Sequence, residues 1–338
     1  MSKVTHSGVW ILAEQSGGRL LRVGFELLTR GRALADKRNA ELVALVPAAK
    51  MEDAELQKLI DCGADHVLVI ADEKLDSFLV EPYAAAMVEV IEQRRPEIFI
   101  AAATTTGRTL MPYVAIKVNA GLTADCTELD IEPDTGNLLQ TRPAIGGNIL
   151  ATIKTPTHRP QMATVRPRSA APAPPQPGRQ GIIERIRPLK PLPAGRVKKI
   201  DFVASQETHG LQEADAVVAV GRGIKKADNI PMAESLATAI DGALGATRDV
   251  VDRGWLSYPH QIGLSGKTVT PKLYIGVGVS GSIQHLAGMQ TAETIIAINN
   301  DPDAQIFRVA DFGIVADLFD VVPVLTEKIL QLTKDKHC

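Results

Sequence analysis

The chain has 338 residues, too many for one typical core and about right for two domains. An apolar share of 45% beside a charged share of 22% is ordinary for a soluble globular protein. A formal net charge of -2 gives no general electrostatic reason to bind nucleic acid or an anionic membrane, and no apolar run is long enough for a membrane span.

A short polar lead enters an apolar strand at 9–13. The lead lacks a signal h-region and an Arg-rich transit helix, so a cytoplasmic location is expected. Residues 20–37 carry Leu20, Leu21, Gly24, Leu27, Leu28 and Leu34 at helical spacing. A strand follows at 42–46, a short helix at 53–60 and a strand at 67–70. Residues 82–93 read as a helix with Pro82 in its first turn, where proline is favoured. Residues 98–103 make a fourth strand. Strands alternating with helices imply a parallel sheet with helices on both faces.

After Ala120 the pattern changes. Residues 125–131 alternate polar and apolar, and Pro133-Asp134-Thr135-Gly136-Asn137 is turn chemistry. Strands are expected at 138–142, 149–155 and 161–165, giving the first domain an antiparallel extension. The run Ala170-Ala171-Pro172-Ala173-Pro174-Pro175-Gln176-Pro177-Gly178 excludes a helix or a central strand. The expected domains are therefore 1–168, an extended connector over 169–197, and 198–338. The second domain again alternates, with strands at 200–204, 216–220, 273–277, 295–298 and 312–315 and helices at 232–244 and 319–332. The expected fold class is α/β, with two doubly wound parallel sheets. Cys62, Cys126 and Cys338 are sparse and form no C-x-x-C pair, which excludes a zinc knuckle or a four-cysteine iron–sulfur site built from this chain.

Three strand ends in the second domain finish in glycine or small polar residues, where open α/β sheets bind ligands. Val220-Gly221-Arg222-Gly223 offers close backbone approach and a guanidinium for phosphate. Ala246-Thr247-Arg248 offers a hydroxyl and a cation that can also stack on a ring. The third runs Gly276-Val277-Gly278-Val279-Ser280-Gly281-Ser282-Ile283-Gln284-His285: a strand, a glycine turn and a helix start. Its glycines fit G-x-G-x-x-G as letters, but Gly276 lies inside the strand, so the match to a dinucleotide fingerprint is weak.

This last window, with Ile296-Ala297-Ile298-Asn299, Asp301-Pro302 and Ile314-Val315-Ala316-Asp317-Leu318-Phe319, resembles the signature of the electron transfer flavoprotein α-subunit family. In the first domain the resemblance rests on Gly121-Leu122-Thr123-Ala124-Asp125-Cys126, Thr141-Arg142-Pro143-Ala144 and Gly146-Gly147-Asn148. It implies one FAD in the second domain and a β subunit holding AMP or, in bifurcating members, a second FAD. It further implies an electron carrier serving a flavoprotein dehydrogenase of the acyl-CoA type, or a bifurcating complex with NADH and ferredoxin or flavodoxin, rather than an enzyme by itself. By the same resemblance Arg222 lies near the FAD phosphates, Thr247 and Arg248 match a Ser-Arg pair over the ring, and Ile262, Gly263, Leu264 and Ser265 match a flavin-contacting loop. Gly278, Ser280, Gly281, Ser282, Ile283, Gln284 and His285 match the signature turn, and Asn299, Asp317 and Leu318 the adenosine end. Arg248, Ser265 and His285 are the implied redox-tuning groups, His285 by donating to the ring or carrying a charge. Leu264 stands where the family has glutamine, so one amide partner of the ring is lost. The rival readings are a stand-alone NAD(P) dehydrogenase, for which no His-plus-carboxylate pair stands out, and a non-redox nucleotide-binding module.

Overall fold

A computed structural model describes residues 6–143, 149–201, 210–212 and 214–335. The motif residues Ala144, Gly146, Gly147 and Asn148, and Cys338, lie outside the described residues. The chain divides into two compact units, Met1–Val203 and Ala204–Cys338.

In the first unit β1 (Val9–Leu12) leads through a small hairpin of β2 (Gln15–Ser16) and β3 (Arg19–Leu20) into α1 (Arg22–Arg38). Next come β4 (Leu42–Ala48), α2 (Asp53–Asp61), β5 (His66–Ala71), α3 (Val80–Arg94), β6 (Ile98–Ala102) and α4 (Thr105–Lys117). Then follow β7 (Leu122–Cys126), β8 (Glu128–Ile131), β9 (Leu138–Pro143), β10 (Leu150–Ile153), β11 (Gln161–Val165) and β12 (Ile182–Ile186). Seven strands form one sheet in the order β12-β5-β4-β1-β6-β11-β7, all paired in parallel. One face packs on leucines of α1 and α2, such as Leu28 and Leu56. The other packs on α3 and α4 through Met87 and Leu110. Near-continuous apolar strands are what a sheet covered on both faces requires.

The antiparallel extension is β10-β9-β8. Residues 161–165 do not join it: β11 inserts in parallel between β6 and β7, because all five of its residues are buried. Helix α4 gave no clear period in the sequence. It runs unbroken through Pro112, and it starts from a local cap, the Thr104 hydroxyl accepting the Gly107 N–H at 3.0 Å. Within the expected connector, the proline run carries no helix or strand. The residues after it are attached to the first unit, however. Ile182–Ile186 pairs with β5 as an edge strand, Leu192 is buried, and the Arg196 guanidinium binds Glu81 at 2.6 Å.

In the second unit β13 (Ala216–Val220), α5 (Ile230–Ala239), β14 (Ala243–Ala246), α6 (Arg248–Asp252), β15 (Leu273–Val277) and α7 (Ile283–Leu286) are followed by β16 (Thr294–Asn299), β17 (Phe312–Val315) and α8 (Leu318–Asp335). The sheet order is β14-β13-β15-β16-β17, all parallel. The helix expected over 232–244 stops at Ala239, and its last residues start β14. Asp241 turns at φ 50°, and Gly242 passes so close to Ala216 that a Cβ would sit 2.7 Å from its carbonyl oxygen. In the strand expected at 200–204, Ile200 and Asp201 have no strand geometry, and 202–204 lie outside the described residues.

Candidate functional site

The order of the second sheet reverses between β13 and β15, which opens a crevice beyond their carboxyl ends. Five strand-end loops meet along this edge. The first is locked to the third: the Gly221 N–H donates to the Val277 carbonyl at 2.9 Å and the Gly223 N–H to the Gly278 carbonyl at 3.1 Å. A Cβ on Gly221 would lie 2.2 Å from the Gly278 oxygen. These glycines therefore admit a neighbouring loop, not only the ligand that the sequence suggested. Gly278 and Gly281 turn at φ 63° and 82°, conformations that glycine adopts without strain. The Ser280 carbonyl then accepts the Ile306 N–H at 3.1 Å, leaving the side chains of Ser280, Ser282 and Gln284 exposed.

Two cations stand on the rim. Arg222 is 74% exposed and 3.9 Å from Asp249. Arg248, the first residue of α6, is 69% exposed with its Nε 3.1 Å from Asp252. Thr247 immediately precedes that helix in extended backbone, its N–H bound to the Val220 carbonyl at 3.0 Å. Both guanidiniums keep most of their donors in solvent, as a site for an anion needs.

The segment 261–267 packs on α7. Leu264 donates its N–H to the Gln284 carbonyl at 2.9 Å. Gly263 takes φ 137° there, with room for no Cβ: one would meet the Gln284 oxygen at 2.8 Å. The Ser265 hydroxyl accepts from the Gln261 amide at 3.0 Å, and its carbonyl accepts the Tyr258 hydroxyl at 2.8 Å. Tyr258, Leu264 and Ile283 are left largely exposed. Apolar side chains bare beside hydroxyls and cations form a surface suited to an aromatic ring with polar edges.

His285 differs from its expected role. It is buried, with Ile262 and Tyr274 around it. Its Nδ1 lies 3.2 Å from the Ile262 carbonyl, which only accepts, so Nδ1 carries the proton. Nε2 then accepts from the Tyr274 hydroxyl at 2.7 Å. Desolvation pushes the imidazole pKa down from 6.5 to about 4, and the bond to Ile262 only partly opposes it. The ring is neutral at pH 7 with both nitrogens engaged, so it neither carries the expected charge nor has a free N–H to donate.

At the far end, Asn299 is buried and committed within the protein: its Nδ2 donates to the Val279 carbonyl at 2.8 Å and its Oδ1 accepts the Asp301 N–H at 3.0 Å. Asp317 is half-exposed, and its Oδ1 accepts the Phe319 N–H at 3.0 Å. Leu318 is a core residue. Sequence reasoning missed Tyr274, Gln261 and Tyr258. Tyr274 gave no signal because it sits among the apolar residues of β15, and the other two lie in a loop without periodicity.

These residues provide hydroxyls and cations at glycine turns, an apolar shelf and a carboxylate at the far end, a donor set that fits a flavin dinucleotide. The family comparisons agree. The electron transfer flavoprotein domain model matches residues 9–190, and the electron transfer flavoprotein FAD-binding domain model matches 210–290. An electron transfer flavoprotein subunit alpha of Thermoanaerobacterium thermosaccharolyticum is 44% identical, with 97% of this chain and 99% of the relative covered. Protein FixB of Clostridium saccharobutylicum is 41% identical over 96% of this chain and 97% of its own length. The acryloyl-CoA reductase electron transfer subunit beta of Anaerotignum propionicum is 38% identical, with 95% of each chain covered. This chain therefore belongs to the electron transfer flavoprotein α-subunit family, has that family's FAD-binding domain and serves in electron transfer.

Proposed function

We propose that the second unit holds one FAD along the carboxyl edge of its sheet, and that the chain works with a β subunit as a cytoplasmic electron carrier. The carrying observation is the set of locked glycine turns at the β13/β15 switch point, flanked by the exposed guanidiniums of Arg222 and Arg248. Arg222, Ser280 and Ser282 would hold the diphosphate. Leu264 and Ile283 would lie against the ring, with Arg248 and Ser265 at its polar edges. Asp317 would take the ribose of the adenosine half. Bound there, the flavin would supply the reversible one-electron chemistry of a carrier.

The protein's own contribution is electrostatic and positional. Arg248 places a permanent positive charge on the rim, favouring an electron-rich ligand. The Ser265 hydroxyl accepts from Gln261, which directs its proton outward. His285 acts one step back: as a neutral ring bonded to the Ile262 carbonyl, it fixes the loop that presents Leu264 and Ser265. An acyl-CoA-type flavoprotein dehydrogenase is the proposed partner, in keeping with the name of the acryloyl-CoA reductase relative. The test is a flavin count on the purified heterodimer. One FAD supports a simple carrier with AMP in the β subunit, and two support a bifurcating complex. A folded heterodimer that stays colourless at saturating FAD would falsify the proposal.

A further inference from the structure

Lys225 occupies an uncommon backbone conformation. Its φ of 70° and ψ of -42°, with the Lys226 N–H donating to the Ile224 carbonyl at 2.9 Å, make the rare, strained form of γ-turn. Such a turn persists only where its surroundings over-determine it. Here Gly223 is bound to the β15 loop upstream. The Ile224 side chain is fully buried, and the Asn229 amide donates to the Ile224 carbonyl at 2.9 Å. The turn directs the Lys225 ammonium at the start of α8. Its Nζ lies 3.7 Å from Asp317 Oδ2 and 4.6 Å from the centroid of the Phe319 ring.

This ion pair is largely solvated, so it offsets little of the strain in the free chain. The contact with the Phe319 ring repays only part of the strain, and strain left at the edge where the cofactor is proposed to lie points to placement for a ligand. Asp317 keeps Oδ1 on the Phe319 N–H, so Oδ2 is the atom that Lys225 steers. A carboxylate beyond a strand end is the group that takes ribose hydroxyls in dinucleotide sites. We infer that Lys225 is a positioning residue: its strained turn and its ion pair hold the Asp317 carboxylate for the adenosine ribose, and so set the preference for FAD over FMN. This rests on the flavin reading above.

The full-length chain with its partner subunit, stripped of flavin, can be titrated with FAD and with FMN by fluorescence. FMN carries the same ring and one phosphate but no adenosine. Lys225→Ala and Lys225→Gly should each weaken FAD about tenfold while leaving FMN within about twofold. Lys225→Arg should restore most of the discrimination. Lys225→Gly should also raise the melting temperature of the flavin-free protein, because glycine accepts φ 70° freely, which separates weaker binding from a damaged fold. Equal loss of FAD and FMN would assign the lysine to the phosphate that both share and overturn the inference. No loss of either would leave the turn purely structural and overturn it too. A wild-type complex that takes up neither flavin would instead remove the reading on which the inference stands.

Discussion

Each parallel sheet has a switch point beside its first strand, where the chain turns from building one side to building the other, and the two switch points are built from opposite chemistry. In the first unit the switch point lies between β1 and β6, and the residues beyond them are Glu14 and Thr104. The Glu14 carboxyl is 7% exposed and accepts the Thr104 hydroxyl at 2.6 Å. Burial pushes its pKa up from 4.5 to about 7, against the lowering effect of that hydrogen bond. Thr104 also caps α4, whose Gly107 is so close to the strand end that a Cβ would be 1.9 Å from the Ala102 oxygen. An acid and a closed helix start occupy the position where an anionic ligand would lie. In the second unit the same position is lined by locked glycines, hydroxyls and exposed arginines. One architecture serves twice, and the residues just past the strand ends give each copy its own chemistry.

The glycine lock gives the largest expected effect. In Gly221→Ala the new methyl group has only backbone to meet, with the Gly278 oxygen at 2.2 Å and the Val279 Cα at 2.6 Å. The two loops must part, and the expected loss is about 3 kcal/mol or more, together with loss of flavin retention. Gly17→Ala, in the hairpin of the first unit, meets nothing within 4 Å at φ 57° and should cost about 1 kcal/mol through backbone strain alone. Denaturant titrations of the two variants would separate them. Equal losses would mean that the second crevice is not held by close packing.

The pH response of each unit sharpens the contrast further. Because Glu14 binds its proton more tightly when folded, its contribution to stability is complete below about pH 4.5 and is lost as the pH rises through about 7. A shift of this size corresponds to about 3 kcal/mol across the window, and Glu14→Gln should remove the slope. His285 has the reverse sign. Its folded pKa is depressed to about 4, so its contribution is complete above pH 6.5 and is lost as the pH falls toward 4. The chain has two tryptophans: Trp10 in the first core and Trp255 packed against the second. Variants keeping one or the other report each unit, so the Trp10 signal should weaken with rising pH and the Trp255 signal with falling pH. Tyr274→Phe should cost about 1 kcal/mol and blunt the second trend. Parallel slopes from the two reporters would contradict the assignment of opposite chemistry.

The legible parts of the molecule were those with a period or a specific run of residues. Two parallel sheets and the antiparallel β8–β10 addition follow from alternation, and the signature turn at 278–285 carries the family. The illegible parts were set by packing at a distance. Residues 161–165 look like any short strand, and only burial on both faces places β11 inside the main sheet. Ile182–Ile186 follows a proline run, yet it pairs with β5 because that edge has a free ladder to offer. His285 reads as a helix-start donor to the ring until Tyr274, eleven residues earlier, and the Ile262 carbonyl are seen to engage both its nitrogens. No sequence period reports a hydrogen bond between a strand and a loop.

The smallest expected effect comes from buried amides, and it again divides the units. In the second unit Gln261, only 3% exposed, gives its amide to Ser265 at 3.0 Å and so shapes the proposed flavin loop. In the first, Gln140 on β9 is fully buried, and neither its nitrogen nor its oxygen has a partner among the described residues. A buried amide without partners is unfavourable, and replacing it by an apolar group of the same length removes that cost. Gln140→Met should therefore stabilise the first unit by about 1 kcal/mol, whereas Gln261→Met should destabilise the second and loosen flavin binding. The Trp10 and Trp255 unfolding midpoints would move in opposite directions. A destabilising Gln140→Met would instead mean that the buried amide is satisfied, and would overturn this half of the contrast.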